Sequence, residues 1–479
     1  MSVERFTSGN FAPVHKEIDA TNLSVIEGEV PKDIDGMFVR NGSNPMFYDK
    51  KHYHWFEGDG MLHGVRIQNG NVSYKNRYVQ TDDHKYEERV GKQYFLSFTT
   101  LKTALGFGYF MASKAYLALF GGRDPYSKDT ANTALIYHDR RMMALMEGSQ
   151  PHWVTAQTLD TIKKYDYDGE LKHNFTAHPK VDRKTGEMIF FGYSLAKKPY
   201  VQYRTVSSDG KLSEKPLDLD IQIPVMMHDM AITENYSIIM DLPLEFRPSD
   251  KKFFVFNEER KSRFAILPRH AKSLDEVMWF EADTCYVFHV ANAWEEGDKI
   301  LLYGVRHDNI DMSGKLKSET KVAKNYLWTF DLKTKKVTEG PVDYANDGST
   351  YEFPVINTEY MGYKSRYLYS MWKAASPKID NFQGVAKIDV EKKTCSTLYH
   401  GDGRFGGEFS FVPKDGAKDE DDGYLIGFVY DSAKNNSESV IYDAKDLSLV
   451  SRVALPQRVP FGFHGMWLTK DQLNQQRSA

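Results

Sequence analysis

Four histidines lie among apolar or aromatic residues, each at or just before a predicted strand: they are His178, His228, His289 and His464. Pro179 biases the backbone of His178 toward an extended conformation, so we expect this imidazole at a strand end. Neutral imidazoles bind Fe, Cu, Zn and Ni, and four of them around Fe(II) leave positions open for dioxygen and a substrate. We therefore predict that the four histidines bind one metal ion.

A single histidine near an apolar strand is usually an ordinary core or surface residue. His52 and His54 form a rival metal pair, because their alternation puts both rings on one face of a predicted strand. The charged residues 49–51 before them and the lack of a third nearby ligand favour a solvated strand instead. The residues alone leave two interpretations open, a four-histidine metal centre and a set of structural histidines.

Three glutamates occupy similarly apolar settings: Glu147, Glu352 and Glu408. A histidine that binds a metal usually has its other ring nitrogen fixed by a carboxylate or carbonyl oxygen. A glutamate in such a setting is either buried with a partner or an exposed strand residue, and for Glu352 and Glu408 the second outcome is the commoner one. The three are candidate partners of the histidine rings.

Short apolar segments separated by Gly, Asn, Asp and Pro continue from Leu23 to the end of the sequence, which predicts an all-β protein. Asp331, Asp389 and Asp443 each end a predicted strand, and they are 58 and 54 residues apart. A four-strand unit at this spacing predicts a β-propeller of about seven blades. On the repeat alone a large β-sandwich stays open. The gaps between the four histidines, 50, 61 and 175 residues, favour the propeller, because one histidine per blade would converge on its axis.

No linker divides residues 1–479, so we expect a single domain. Residues 94–122 break the strand pattern, since they are rich in Phe, Leu and Tyr with Lys102 and Lys114 between. They predict a helical insertion that either lies in a membrane interface or caps one face of the propeller with its apolar side inward.

Composition excludes several classes of protein. A net charge of −4 and the absence of a basic cluster argue against nucleic-acid binding. No apolar run is long enough to cross a bilayer, and the N-terminus has no signal-peptide pattern. Cys285 and Cys395 are too few for a disulfide framework, which favours a reducing compartment. We expect a cytoplasmic protein that contacts membranes peripherally, if at all, through residues 94–122.

A set of motifs along nearly the whole chain resembles the carotenoid cleavage oxygenase family. Each motif is short, but jointly and in this order they are specific. They are Asp35–Gly42, Phe56–Met61, Asp129–Thr133, Thr176–Pro179, Met227–Asp229, Phe288–Gly297, Glu352–Pro354, Gly407–Glu408 and Phe463–Gly465. Segments 240–248, 263–269 and 293–298 are similar to those of the plant-type carotenoid and apocarotenoid cleavage dioxygenases.

The resemblance implies a seven-bladed propeller with Fe(II) on its axis, held by the four histidines named above. It further implies that Glu147, Glu352 and Glu408 are partners of three of these rings, and that His178 has no such partner. Thr133 would place its methyl group near an open coordination position. The activity implied is cleavage of one C=C bond of a carotenoid or apocarotenoid by O2, giving two carbonyl products.

A sister branch of the family cleaves stilbenes, with a Lys and a Tyr that contact the phenol. The corresponding positions here are Met146 and Phe98, which together with Phe56 predict an apolar substrate tunnel. A third branch, the retinoid isomerohydrolases, keeps the iron site without oxygenation, and its membrane and palmitoylation cysteines have no counterpart here. Stilbene cleavage and a non-catalytic propeller that binds apolar ligands stay as alternatives.

Overall fold

The structure is a computed structural model. It describes residues 6–50, 52–95, 128–247, 253–312, 322–342, 344–345, 347–375 and 381–477, and the single positions 108, 112, 116 and 119. In chain order, the first strands are β1 (Asp19–Ala20), β2 (Val25–Gly28), β3 (Gly36–Arg40), β4 (Met61–Gln68), β5 (Asn71–Tyr78), β6 (Ala134–His138), β7 (Arg141–Leu145), β8 (His152–Val154), β9 (Thr161–Lys164), β10 (Lys180–Val181), β11 (Met188–Tyr193), β12 (Val201–Val206), β13 (Leu217–Leu219), β14 (Met230–Ile232), β15 (Tyr236–Asp241), β16 (Leu244–Arg247), β17 (Phe253–Phe256), β18 (Ser262–Pro268) and β19 (Met278–Ala282).

The strands that follow are β20 (Tyr286–Glu296), β21 (Lys299–His307), β22 (Lys324–Asp331), β23 (Val337–Pro341), β24 (Thr350–Val355), β25 (Tyr367–Lys373), β26 (Gly384–Asp389), β27 (Thr394–Tyr399), β28 (Arg404–Gly406), β29 (Ser410–Pro413), β30 (Gly423–Asp431), β31 (Asn436–Asp443), β32 (Leu449–Ala454) and β33 (Gly465–Thr469). Among the described residues, the α-helices with defined bounds are α1 (Asp82–Val90) and α2 (Lys470–Asn474), and short 3-10 helices cover Gly9–Phe11, Trp55–Glu57, Leu274–Glu276 and Thr358–Tyr360.

These strands form seven antiparallel sheets, which we call blades 1 to 7. Blade 1 has the strand order β1-β5-β4-β3-β33. Blades 2 and 3 are β6–β9 and β10–β13. Blade 4 is β14-β15-β18-β19, with β16 and β17 as a separate hairpin. Blades 5 and 6 are β20–β23 and β24–β27, and blade 7 is β2-β32-β31-β30-β28 with β29 also paired to β30.

The apolar core divides into seven clusters, and each one fills the interface between two neighbouring blades. Phe264 and Trp328 exemplify the cluster between blades 4 and 5, with ring centroids 5.8 Å apart. The other six lie between blades 7 and 1, 1 and 2, 3 and 4, 2 and 3, 6 and 7, and 5 and 6. Seven interfaces among seven blades close the ring, so the predicted seven-bladed propeller is confirmed and the sandwich is excluded.

The two ends of the chain close this ring together. Strand β33, near the C-terminus, pairs with β3, near the N-terminus, and Phe38 lies opposite Trp467 in the register. His464 immediately precedes β33, so the strand that closes the propeller also carries one of the predicted metal ligands.

The aspartates of the sequence repeat occupy equivalent places. Asp331, Asp389 and Asp443 end the third strand of blades 5, 6 and 7. Their carboxylates accept hydrogen bonds from backbone N–H groups of the following turn, as Asp331 does from Lys333 and Thr334. The repeat therefore marks the blades because each third strand ends in the same Asp-capped turn.

Helix α1 is bounded by ordinary signals: the Thr81 hydroxyl accepts a hydrogen bond from the His84 N–H, and Gly91 follows in the left-handed region at φ +69°. The insertion at 94–122 lies mostly outside the described residues. Within it, positions 108, 112, 116 and 119 are helical and exposed, and Tyr94 and Phe95 follow α1. In the described part of the chain, no helix is long and apolar enough to cross a membrane.

We predict that Leu468→Ala lowers the free energy of unfolding by about 2–5 kcal/mol, because a buried leucine at the closing strand would leave a cavity. Leu468 has no exposed surface and packs between blades 1 and 2. Leu274, which is 47% exposed, is the control. Its change to Ala should alter stability by less than about 0.5 kcal/mol in the same urea titration. Equal effects of the two changes would contradict the role given to β33.

Candidate metal centre and cavity

The inner strands of four blades bring the four predicted histidines together. His178 and His228 come two residues before β10 and β14, His289 lies within β20, and His464 precedes β33. Their ligand nitrogens all lie within 4.8 Å of one another. The Nε2 atom of His228 is 3.1 Å from that of His178 and 3.1 Å from that of His289. Four distant segments of the sequence therefore present ring nitrogens to one point.

The other three blades also contribute predicted site residues at their inner edges. Thr133 immediately precedes β6 of blade 2, Glu352 lies in β24 of blade 6, and Glu408 connects β28 to β29 in blade 7. Glu147, which follows β7, is a second contribution of blade 2. Every blade thus supplies at least one residue around the axis, which explains the wide spacing of these residues along the sequence.

Each of the three glutamates forms a hydrogen bond with the Nδ1 atom of one histidine. The distances are 2.5 Å from Glu147 to His228, 2.5 Å from Glu352 to His289, and 2.9 Å from Glu408 to His464. A carboxylate accepts from Nδ1–H, so the Nε2 atom of each ring is left with a lone pair. No carboxylate among the described residues pairs with His178.

With the proton on Nδ1, the Nε2 atoms of these rings are suited to bind a cation. The Nε2 atoms of His228 and His289 are both acceptors, yet they face each other at 3.1 Å. Two neighbouring nitrogens that bind one ion at about 2.1 Å are separated by about 3 Å. A metal ion bound by both lone pairs satisfies them, whereas without one the buried acceptors repel.

Burial and neighbouring charges shift the pKa values of the rings and of the carboxylates that pair with them. Burial pulls the pKa of His178 well below its ordinary value, and the three neighbouring imidazoles add to this. Burial raises the pKa of Glu352, but the rings of His289 and His307 outweigh it and the net direction is downward. Burial likewise lowers the pKa of His228, but Glu147 outweighs it and the pKa of this imidazole is raised. The pKa values of Glu147 and Glu352 are both lowered, so these two carboxylates are ionised and accept the Nδ1 protons of His228 and His289.

A cavity of about 580 Å³ opens on this centre, and its wall is largely aromatic. The predicted residues Thr133, Met146 and Phe56 are part of this wall. The aromatic side chains that line it are Trp55, Phe56, Tyr193, Phe246, Phe253, Phe254, Phe288, Phe353, Phe382 and Phe463. An apolar wall with a few polar groups at one end is typical of a site for an apolar small molecule.

Two polar side chains in the wall, those of Thr133 and Lys128, are engaged by neighbours. The Thr133 hydroxyl donates to Asn132 Oδ1 at 3.0 Å, and the Lys128 ammonium is paired with Asp59 and Glu87 at 2.9 and 2.7 Å. Phe98, the remaining predicted wall residue, lies outside the described residues.

The rival pair His52 and His54 serves local structure instead of binding a metal. The prediction that His52 and His54 lie on a strand is wrong. His52 and His54 do not lie on a strand: the His52 ring bonds Asp49 at 2.7 Å, and the His54 ring caps the 3-10 helix Trp55–Glu57 by accepting from the Phe56 N–H. The alternation of His-x-His was misleading because the turn residues after it start a helical turn.

His307, whose Nε2 lies 2.8 Å from Glu352 Oε1, was not among the predicted site residues. Its sequence neighbourhood carries no signal, since this contact joins strands of two different blades. Trp55 and Phe463 were not predicted as wall residues, although Trp55 precedes the motif Phe56–Met61 and Phe463 begins the motif Phe463–Gly465.

A closed seven-bladed propeller with four axial imidazoles and an aromatic cavity defines a class of metal-dependent propeller protein. Residues 11–469 match the family model described as retinal pigment epithelial membrane protein. The chain belongs to this family, which includes the carotenoid cleavage oxygenases.

Named relatives and solved structures agree with this membership. Carotenoid 9,10(9',10')-cleavage dioxygenase 1 of Pisum sativum is 41% identical over 98% of this chain and 91% of its own length. The Crocus sativus carotenoid 9,10(9',10')-cleavage dioxygenase is 41% identical over 99% and 90%. The lignostilbene dioxygenase of Pseudomonas brassicacearum superposes with a TM-score of 0.84 at 26% identity, covering 97% of this chain and 98% of that one. Cobalt-substituted Synechocystis apocarotenoid oxygenase gives 0.81 at 25%, covering 96% and 97%. The predicted family, propeller fold and dioxygenase class are thereby confirmed.

We predict that Glu408→Gln weakens metal binding by about 10–100-fold, because it removes the charge that holds the His464 Nδ1 proton. The second oxygen of Glu408 accepts from the Gly465 N–H at 2.7 Å, and because an amide has a single acceptor oxygen, the variant cannot accept from both this N–H and His464 Nδ1–H. Chelator competition on the loaded protein measures the affinity. Glu420→Gln is the matched control, since Glu420 accepts backbone N–H groups of Arg366 and Tyr367 outside the cavity. Unchanged affinity in Glu408→Gln would contradict the role given to this carboxylate.

Proposed function

We propose that this chain is a non-haem Fe(II) dioxygenase that cleaves one C=C bond of a carotenoid or apocarotenoid with O2 to give two carbonyl products. One observation carries the proposal. Three Nδ1 protons are fixed by carboxylates, so that the imidazole lone pairs converge beside an aromatic cavity that His228, His289 and His464 help to line. The names of the curated relatives support carotenoids as the substrate class.

The residues that would hold the iron are His178, His228, His289 and His464. All four donors are neutral nitrogens, which suit Fe(II) and leave positions for further ligands. Glu147, Glu352 and Glu408 offset the charge of the ion and orient three of the rings. Bound iron would supply the activation of dioxygen, which is the chemistry that no side chain of the cavity offers.

The residues of the cavity wall would bind the substrate and keep water out. Phe56, Met146 and the other apolar side chains exclude water and bind a polyene by burying its apolar surface. Thr133 lies in the wall beside the histidines, and its hydroxyl is engaged by Asn132. The overall reaction places one oxygen atom on each carbon and moves no proton, so no general acid or base is needed. That Thr133 and Lys128 are both paired to neighbours agrees with this requirement.

Stilbene cleavage is the second candidate, because the lignostilbene dioxygenase is so similar in structure. Met146, immediately before Glu147, stands where that branch places a Lys, and it supports a polyene rather than a phenol. Incubating iron-loaded protein with a carotenoid, an apocarotenal and a hydroxystilbene separates the candidates by product analysis. Carbonyl products from the hydroxystilbene alone would overturn the carotenoid assignment, and no product from any substrate would favour a binding protein.

His228→Ala should abolish both stoichiometric iron binding and turnover, because the His228 ring lies 3.1 Å from two other ligand nitrogens and is central to the set. Iron analysis of the purified variant measures the first and product formation the second. His270→Ala is the control, since this imidazole is exposed and is not part of the cavity lining. An active, iron-replete His228→Ala protein would refute the assignment.

Peripheral membrane contact through residues 94–122 is part of the proposal, because an apolar polyene must enter from a membrane or micelle. Tyr116 and Leu119 are 60% and 76% exposed, and both positions, three residues apart in the sequence, are helical. Leu119→Glu should reduce co-sedimentation with phosphatidylcholine vesicles several-fold. Leu274→Glu, at an exposed leucine elsewhere, should not. Equal vesicle binding by both variants would count against this surface.

A further inference from the structure

The carboxylate of Glu352 is held from two sides, unlike a simple partner of one imidazole. Its Oε2 atom accepts from His289 Nδ1 at 2.5 Å and from the Phe353 N–H at 2.7 Å. Its Oε1 atom accepts from His307 Nε2 at 2.8 Å. Both oxygens are therefore engaged, and one of them by a second histidine.

The other two carboxylates lack such a contact. Glu408 uses its second oxygen for the Gly465 N–H, and Glu147 has His228 as its side-chain partner. Within the described ranges, His307 is the one side chain outside the predicted ligand set that donates to any of the three. This places His307 in a chain of contacts that runs from the metal centre through His289 and Glu352.

The position of His307 is itself fixed by blade 5. It is the last residue of β21, and its backbone lies opposite Tyr286, three residues before His289 on β20. Its ring packs edge-on against Phe288, with centroids 5.4 Å apart and planes at 89°. Glu352 belongs to blade 6, so the His307 hydrogen bond joins a rigid part of one blade to the carboxylate of the next.

A carboxylate that bonds only one imidazole is free to rotate about that hydrogen bond. A second donor on the other oxygen fixes the plane of the carboxylate, and hence the direction in which it pulls the Nδ1–H of His289. His307 also lines the cavity, so it holds this geometry on the side where a substrate would lie.

We propose that His307 is a positioning residue of the metal centre: it fixes the Glu352 carboxylate, which in turn fixes the ring of His289. This inference rests on the proposed function, since it assumes that the four histidines bind a metal ion. It assigns a role in metal affinity and ligand geometry, and no contact with the reacting atoms.

The test uses two variants of the full chain. His307→Phe keeps an aromatic ring of similar size and removes the donor. His307→Gln keeps an N–H donor near the position of Nε2. Each protein is loaded with Co(II), since a relative is known in cobalt-substituted form. The dissociation constant is measured by chelator competition and the ligand geometry by the visible absorption of cobalt. Fe(II) affinity and the thermal midpoint are measured in parallel.

We expect His307→Phe to weaken Co(II) and Fe(II) binding by about tenfold, the lower end of the effect of such outer partners, and to change the cobalt spectrum. His307→Gln should stay within about threefold of the wild type and keep its spectrum. Should the Phe variant fail to fold, His307→Asn, which is too short to reach Glu352, replaces it.

Two results would overturn the inference. Wild-type affinity and spectrum in His307→Phe would show that Glu352 needs no second donor. Equal losses in the Phe and Gln variants would show that the ring matters for packing rather than for its hydrogen bond. If the wild-type chain itself binds neither metal, the proposed function fails, and the inference fails with it. Metal binding by the wild type together with unchanged variants removes the inference alone.

Discussion

Three hydrogen bonds between carboxylates and Nδ1 atoms are the constraint on which the centre of this propeller depends. Without them each buried imidazole could place its proton on either nitrogen, and four rings would meet with undefined charge. With them, His228, His289 and His464 each direct a lone pair to the axis. The positions of these three protons thus leave a set of ring nitrogens that fits one cation.

Each of these bonds crosses between blades. Glu147 of blade 2 bonds His228 of blade 4, Glu352 of blade 6 bonds His289 of blade 5, and Glu408 of blade 7 bonds His464 beside blade 1. The geometry is therefore only as accurate as the packing of the blades against one another. The seven apolar clusters supply that accuracy, because close-packed interfaces tolerate little displacement. Stability of the ring and definition of the metal centre are two consequences of the same packing.

Local patterns in the sequence predicted the parts of this arrangement that local chemistry determines. The turn aspartates 331, 389 and 443 marked the third strands of three blades, since each caps the turn that ends its strand. The family motifs contain the four histidines, Glu352 and Glu408, whereas Glu147 was singled out by its apolar neighbours in the sequence. His307 and most of the aromatic wall could not be found in this way, because they are defined by contacts between blades. His52 and His54 misled because alternation suits a strand as well as the start of a helical turn.

The most direct test of the account is to locate the metal. Crystals of the iron-loaded protein, measured at the iron absorption edge, should show one anomalous peak per chain between the Nε2 atoms of His178, His228, His289 and His464, at about 2.1–2.2 Å from each. A peak elsewhere, or a centre in which one of the four rings is not bound to the ion, would contradict it.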